Sequence, residues 1–221
     1  MVRKTLLIAL AMGLAASSAQ AQSSKFEISA TAGWTFSDGV SGQTVNTPEG
    51  SFNRVDPQDS FSWGLRFGYL LSENSEVGFL FNMQPTQLEV SGSETVTLGD
   101  QSVYNYHGYY SYSFGNRDAT ARPYLIVGLG ATQFGAVDAT FGDEQGSIDG
   151  GTQFSGTFGL GAKFFPFGSP KFGLRVEARY TPTYIKSDPG GWWCGLWGCY
   201  LTEDPQYANQ FELNGGIILR L

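Results

Sequence analysis

Charge is what this chain of 221 residues has least of: Asp, Glu, Lys and Arg together make up 15%, against roughly 25% in an ordinary soluble domain. Something other than charge must cover its surface. Long apolar runs are missing as well. The run from Leu6 to Ala16 falls short of the about 20 residues that carry a helix across a bilayer, and no later stretch comes close. Residence in a membrane would therefore require a closed barrel whose backbone groups pair with one another. Cysteine is limited to Cys194 and Cys199, too few for a metal centre without further soft ligands. Basic residues are outnumbered, with a net charge of −7, which excludes the basic face that nucleic acid needs.

What the chain does have is aromatics, at 15%, and 30 glycines. Its first residues read as an export signal: Arg3 and Lys4, the apolar run, then Ala19-Gln20-Ala21 at a cleavage position. Cutting after Ala21 separates a signal peptide, residues 1–21, from a single domain, residues 22–221. It removes Arg3 and Lys4 and no acid, taking the net charge from −7 to −9.

From Phe26 onward apolar residues alternate with small or polar ones at the period of a strand. Phe26, Ile28, Ala30, Ala32, Trp34 and Phe36 oppose Glu27, Ser29, Thr31, Gly33 and Thr35. Similar segments follow at 61–69, 77–83, 104–114, 123–133, 154–164, 172–181 and 210–221. Eight strands result, each close to the about 9–11 residues that cross a bilayer. Pro85 is read as breaking the phase of the third, a bulge or an extension beyond the membrane. Aperiodic stretches at 37–59, 135–151 and 182–208 read as long loops, 92–101 as a polar loop in which Val96 and Leu98 prolong a hairpin, and 71–74, 115–118 and 166–170 as short turns. In the fifth segment, Leu125, Val127 and Leu129 against Tyr124, Ile126 and Gly128, the faces are hardest to assign.

Period 2 fits a soluble barrel as well as a membrane barrel, so the second face decides. A soluble barrel needs charge on its outside, whereas here that face is mostly Gly, Ser and Thr. Small residues suit the interior of an eight-stranded barrel, which side chains fill completely, and large aromatics belong outside. Trp34, Phe36, Phe61, Trp63 and Tyr104 would then form an aromatic girdle at the loop end, and Tyr69, Phe114, Phe164 and Phe172 one at the turn end. The same parity turns Glu27, Arg66, Lys163, Arg175, Glu177, Arg179, Glu212 and Arg220 inward. Buried charges must be paired, so the expectation is a lumen plugged by an ion-pair network. The fold class is all-β, an eight-stranded antiparallel up-and-down transmembrane barrel with a filled lumen.

Cys194 and Cys199 lie in the last long loop of an exported chain, where a disulfide is the default. With Trp192, Trp193, Trp197 and Tyr200 beside them, this loop is an aromatic patch that binds a partner, rests on lipid headgroups or folds over the barrel mouth. The remaining loops are acidic, and their spacing fits no calcium motif. Nothing calls for a cofactor or a metal.

The terminal strand resembles the C-terminal recognition strand of bacterial outer-membrane barrels, polar, any, Gly, any, any, hydrophobic, any, hydrophobic, with Asn214, Gly216, Leu219 and Leu221 in its slots. Leu stands where an aromatic is commoner. The whole chain resembles the small proteobacterial outer-membrane beta-barrel domain proteins, akin to outer-membrane protein X and the transmembrane half of outer-membrane protein A. The residues that carry this are Arg122-Pro123-Tyr124 leading to Gly128-Leu129-Gly130-Ala131-Thr132, Phe172-Gly173-Leu174-Arg175 with Ala178-Arg179, the cysteine pair, and Gln210-Phe211-Glu212. The resemblance implies an outer-membrane location, a monomer, outer-membrane lipids and lipopolysaccharide as partners, and the barrel-assembly machinery during insertion. It brings no catalytic residues, and no periplasmic peptidoglycan-binding domain is expected after Leu221.

Three function classes follow. The first is a structural or surface-interaction barrel acting through its long acidic loops. The second is a narrow, porin-like channel for small hydrophobic molecules, which the charged inner face opposes. The third is a lipid A-modifying enzyme. Outer-membrane lipid A deacylases use a His and a Ser, but here parity places His107 and Ser111 inside, away from an acyl ester, so a hydrogen-bonded lumen histidine is the expected role.

Overall fold

Two-residue alternation with one greasy face leaves the chain a single way to satisfy its backbone in lipid, a sheet rolled until its edges meet. The computed structural model of the protein describes residues 25–47, 50–116, 119–141, 144–166, 171–185, 192–195, 198–201 and 206–221. The expected signal peptide lies outside them. The described strands are β1 (Phe26–Asp38), β2 (Val40–Thr47), β3 (Gly50–Pro57), β4 (Ser60–Leu70), β5 (Ser75–Gly92), β6 (Thr95–Ser113), β7 (Ala121–Phe134), β8 (Val137–Phe141), β9 (Glu144–Ile148), β10 (Gly151–Phe164), β11 (Phe172–Ile185), β12 (Trp192–Gly195), β13 (Gly198–Leu201) and β14 (Gln206–Arg220).

Eight of these strands close an antiparallel barrel in the order β1, β4, β5, β6, β7, β10, β11, β14 and back to β1. The seam between first and last runs from Glu27↔Arg220 to Asp38↔Asn209. It extends to the final residue, since Leu221 N–H donates to the Phe26 carbonyl at 2.9 Å. Among the described residues, 29 buried side chains are polar or charged and 11 are hydrophobic. That ratio inverts the rule for soluble domains, and it puts the apolar face outside. Phe158, Leu160, Leu174, Val176, Leu213 and Ile217 are all exposed there. In β7 the faces are now settled: Leu125, Val127 and Leu129 point out while Tyr124 and Ile126 are buried.

Three stretches expected to be aperiodic loops contain hairpins instead. β2 pairs with β3, β8 with β9, and β12 with β13. The physical reason is that hydrophobic alternation marks a strand only where one face meets lipid or a core. A hairpin standing in water keeps its ladder without it. Two of these strands join the main sheet, because β3 continues onto the upper part of β5, from Pro57↔Leu88 to Phe52↔Gly92. The 92–101 segment is the tip of the β5–β6 hairpin, with Val90↔Val96 still paired.

Pro85 does not break the phase of its strand. Asn82, Gln84, Thr86 and Leu88 all stay buried on one face, and Pro85 is exposed on the other. The register shift falls later, between Leu88 and Glu89. The apparent break arose because Leu88 is an apolar residue turned inward.

Candidate functional site

Parity along the strands delivers the charges to one place. At the turn end of the lumen the Glu27 carboxylate accepts from three cations: Lys163 Nζ at 2.6 Å, Arg175 Nη2 at 2.7 Å and Arg220 Nε at 3.1 Å. Lys163 also reaches Glu76 at 2.5 Å, and Tyr109 O–H donates to the same carboxylate. Deeper in, Glu177 pairs with Arg66, lies 3.6 Å from Arg179 and accepts from Tyr124 O–H at 2.6 Å. Arg179 pairs in turn with Glu212, which also accepts from Asn214 Nδ2 at 3.0 Å. The eight residues expected there thus fall into two bonded clusters, one around Glu27 and one around Glu177, with the Tyr124 ring between them. Each is almost fully buried, so each charge depends on its partners rather than on water.

Two buried charges escaped the sequence reading, Glu76, which pairs with Lys163, and Arg122, whose Nη2 donates to the Glu73 carbonyl at 2.6 Å. Each stands at a strand start beside a turn, and the signal for each was its parity with Gly78 and Tyr124. The rule that large aromatics stay outside also needs correction. Tyr109 and Tyr124 lie in the lumen, opposite inward glycines. A Cβ at Gly78 would come within 2.8 Å of the Tyr109 ring, and one at Gly161 equally near the Tyr124 ring. The small residues on neighbouring strands make the room, so large and small side chains interdigitate. Both rings also face cations, with Arg175 at 5.4 Å and Lys163 at 5.6 Å from the Tyr124 centroid.

Toward the outer end the packing becomes uncharged. Gln210 links Asn105 at 3.0 Å to Gln84 at 2.8 Å, and Thr132 donates to Asn105 at 2.7 Å. His107 Nε2 lies 2.9 Å from Ser155 Oγ. Its partner is therefore Ser155 on β10 rather than Ser111, whose hydroxyl has no partner in the protein. No acid orients this imidazole, and it is 1% exposed on the side away from lipid. Among the described residues no cluster of His, Cys, Asp and Glu has the makings of a metal site.

The outer membrane protein beta-barrel domain profile matches residues 6–214. The chain belongs to this family. Its location is accordingly the outer membrane. Among solved structures of this barrel type, OprG from Pseudomonas aeruginosa is 14% identical, with 90% of this chain and 98% of OprG covered at a TM-score of 0.60. Neisserial surface protein A is 16% identical, with 89% and 97% covered at a TM-score of 0.50. The N-terminal barrel of Pseudomonas aeruginosa OprF is 13% identical, with 89% and 100% covered at 0.43. At such identities the likeness shows the fold alone. No curated protein matches the chain in sequence.

In an outer-membrane barrel domain the outer face meets acyl chains. Trp34, Phe36, Phe61, Trp63, Tyr69, Phe114, Phe164 and Phe172 are exposed on it and Tyr104 is half-buried. In the closing strand Asn214 faces the lumen, Leu219 is half-buried and Leu221 is exposed. Gly216 has a packing reason independent of recognition, since a Cβ there would meet the Ala30 carbonyl and come within 2.8 Å of the Thr31 side chain. The backbones of Cys194 and Cys199 lie opposite each other in the β12–β13 ladder. Their side chains, those of Trp192, Trp193 and Tyr200, and the whole of Trp197 fall outside the described residues. Above the barrel, Arg54 on β3 is held by Asp56 at 2.8 Å and by Asp38, and the hydrogen bond that it donates to the Asp56 carboxylate raises its pKa above the ordinary value.

Proposed function

We propose that this outer-membrane barrel is a non-conducting, non-enzymatic scaffold whose working surface is its outer hairpins, facing lipopolysaccharide or the cell's surroundings. The observation that carries the reading is the buried ion-pair network across the lumen. Two sets of paired charges, fixed on six strands from Glu27 to Arg220, leave no apolar path for a hydrophobic solute. Outside the membrane the chain extends well beyond what a bilayer needs. β5 and β6 run to 18 and 19 residues, against the about 9–11 that span it. Such extension is idle in a pore but useful in a surface module.

Against an enzyme stands the placement of His107, bonded to Ser155 inside the barrel and closed off from any acyl ester. Monomeric behaviour, a Cys194–Cys199 bridge and contact with lipopolysaccharide belong to the same proposal. The test is a planar-bilayer recording of the purified, refolded protein, paired with lipid A mass analysis of cells with and without it. Silent bilayers and unchanged lipid A are expected. Stable porin-sized conductance steps, or a new lipid A mass, would overturn the reading.

A further inference from the structure

Within the membrane the inward face of the wall is polar, and above it the polarity reverses. On β5 the inward residues Asn82, Gln84 and Thr86 give way to Leu88 and Val90, while the outward face turns to Gln87, Glu89 and Ser91. β3 follows suit, with Pro57 opposite Leu88 and Val55 opposite Val90. Continued sideways, Val40 on β2 is opposite Val55, and Val96 on β6 is opposite Val90. Residues directly opposite in an antiparallel pair share a face at about 4.5–5.5 Å. Four valines therefore form one row across four strands. The row takes a single residue from each strand, so alternation along the chain does not reveal it.

The two faces of this outer sheet differ in how far they are satisfied. On the polar face Gln58 and Thr97 both donate to Glu89, at 2.6 and 3.3 Å, and Ser91 donates to Asp56 at 3.4 Å. The apolar face is covered only in its lower part. There Gly99 is opposite Leu88, and the fully buried Val137 of β8 brings its Cγ1 to 3.0 Å from where a Cβ on Gly99 would stand. One row higher the cover thins. Leu88 is 6% exposed but Val55 is 37% exposed, and Val40, Val90 and Val96 are half-buried.

Charge decides what can cover the row. Residues 38–60 and 85–102 hold seven acids, and their one cation, Arg54, is already held by Asp38 and Asp56. Glu94, at the tip of the β5–β6 hairpin, stands above the row and Asp138, on β8 beside Gly99, below it; both are exposed. A second copy of the chain brings the same negative sign, and lipopolysaccharide brings phosphates, so this surface repels both. A partner with one apolar side and surplus positive charge satisfies the row and its rim together.

We propose that the valine row docks a soluble cationic amphipathic peptide arriving from outside the cell, its apolar side chains on Val55 and Val90 and its basic ones toward Glu94 and Asp138. The proposal rests on the outer hairpins being the working surface. In the test, the folded full chain in phosphatidylcholine nanodiscs is titrated into a fluorescein-labelled peptide of alternating Val and Lys, with empty nanodiscs as the blank. Anisotropy is expected to show saturable binding above the blank. It weakens as ionic strength rises from about 0.01 M to about 1 M, where the screening length falls from about 30 Å to about 3 Å. Val55→Ser together with Val90→Ser weakens it by about tenfold, the scale of two half-exposed valines losing their burial. Glu94→Gln together with Asp138→Asn weakens it at low ionic strength and flattens its salt dependence.

The proposal is overturned by no binding above the blank, or by equal binding of a Ser–Lys peptide or of a Val–Glu peptide. Valine variants that bind as the parent does, while keeping the heat-dependent gel shift of a folded barrel, overturn it as well. The acid variants, both at exposed positions, decide the matter even where the valine variants do not fold: unchanged binding at low ionic strength overturns it. A dimer in detergent that Val55→Ser dissociates also overturns it, since the row would then join two copies. A protein that binds no peptide and leaves bilayers silent would sink this inference and keep the scaffold; one that binds the peptide and conducts would do the reverse.

Discussion

Glu27 is the residue on which the turn end of the lumen depends, because Lys163, Arg175 and Arg220 all converge on its two oxygens. Arg220 is further pinned with its guanidinium 3.8 Å over the Phe165 ring, so it has little freedom to seek another partner. Glu27→Ala strands two buried cations, Arg175 and Arg220, while Lys163 keeps Glu76, and is expected to lower the unfolding free energy by about 3–5 kcal/mol, the usual cost of breaking a buried pair from one side. Urea titration of the protein in lipid vesicles, scored by the gel shift between heated and unheated samples, measures it. A loss below about 1 kcal/mol, the range of exposed pairs, would mean that water reaches the cluster and the lumen is not sealed. At this scale the sequence was readable where parity alone decides, as with Arg66 or Glu177. It was silent where a cross-strand neighbour decides. That His107 meets Ser155 follows from the strand register, and Tyr109 fits inside only because Gly68 and Gly78 oppose it.

Among the elements, the barrel strands announced themselves because lipid outside and polar packing inside impose opposite demands on successive residues. The outer hairpins gave no such signal, since water on both faces imposes none. β3 nonetheless extends the sheet, and its attachment to β5 begins above the last β4–β5 pair, so closure of the barrel does not depend on it. Replacing Val40–Pro57 by a short Gly-Ser link is expected to leave the heat-dependent gel shift intact and to change the urea midpoint little. Amide exchange should rise in the upper part of β5, which loses its β3 partner, and stay slow below Met83, where β4 still covers the strand. Loss of the folded band would show that the hairpin is part of the closing structure rather than an addition to it.

For the molecule as a whole, the reversed arrangement of polar inside and apolar outside makes the plug and the wall one structure. An eight-stranded barrel is just wide enough for its side chains to fill it, so what blocks the bore is a specific set of large groups and not a narrow backbone. Arg66, Tyr124 and Glu177 form its middle layer, joined by the Arg66–Glu177 pair and the Tyr124 hydrogen bond. Replacing all three by Ala removes a cation together with its carboxylate, so that pair leaves no uncompensated charge behind. Arg179 keeps Glu212 as a partner. The triple variant is therefore expected to insert and fold, at reduced stability, and to show small stable conductance steps in planar bilayers where the parent is silent. Steps of equal size in parent and variant would place the conducting path elsewhere. Silence in a variant shown by its gel shift to be folded would mean that the Glu27 cluster below, or the Asn105–Gln210–Gln84 chain above, closes the bore by itself. Blocking would then be distributed along the whole lumen, with no single layer able to open it.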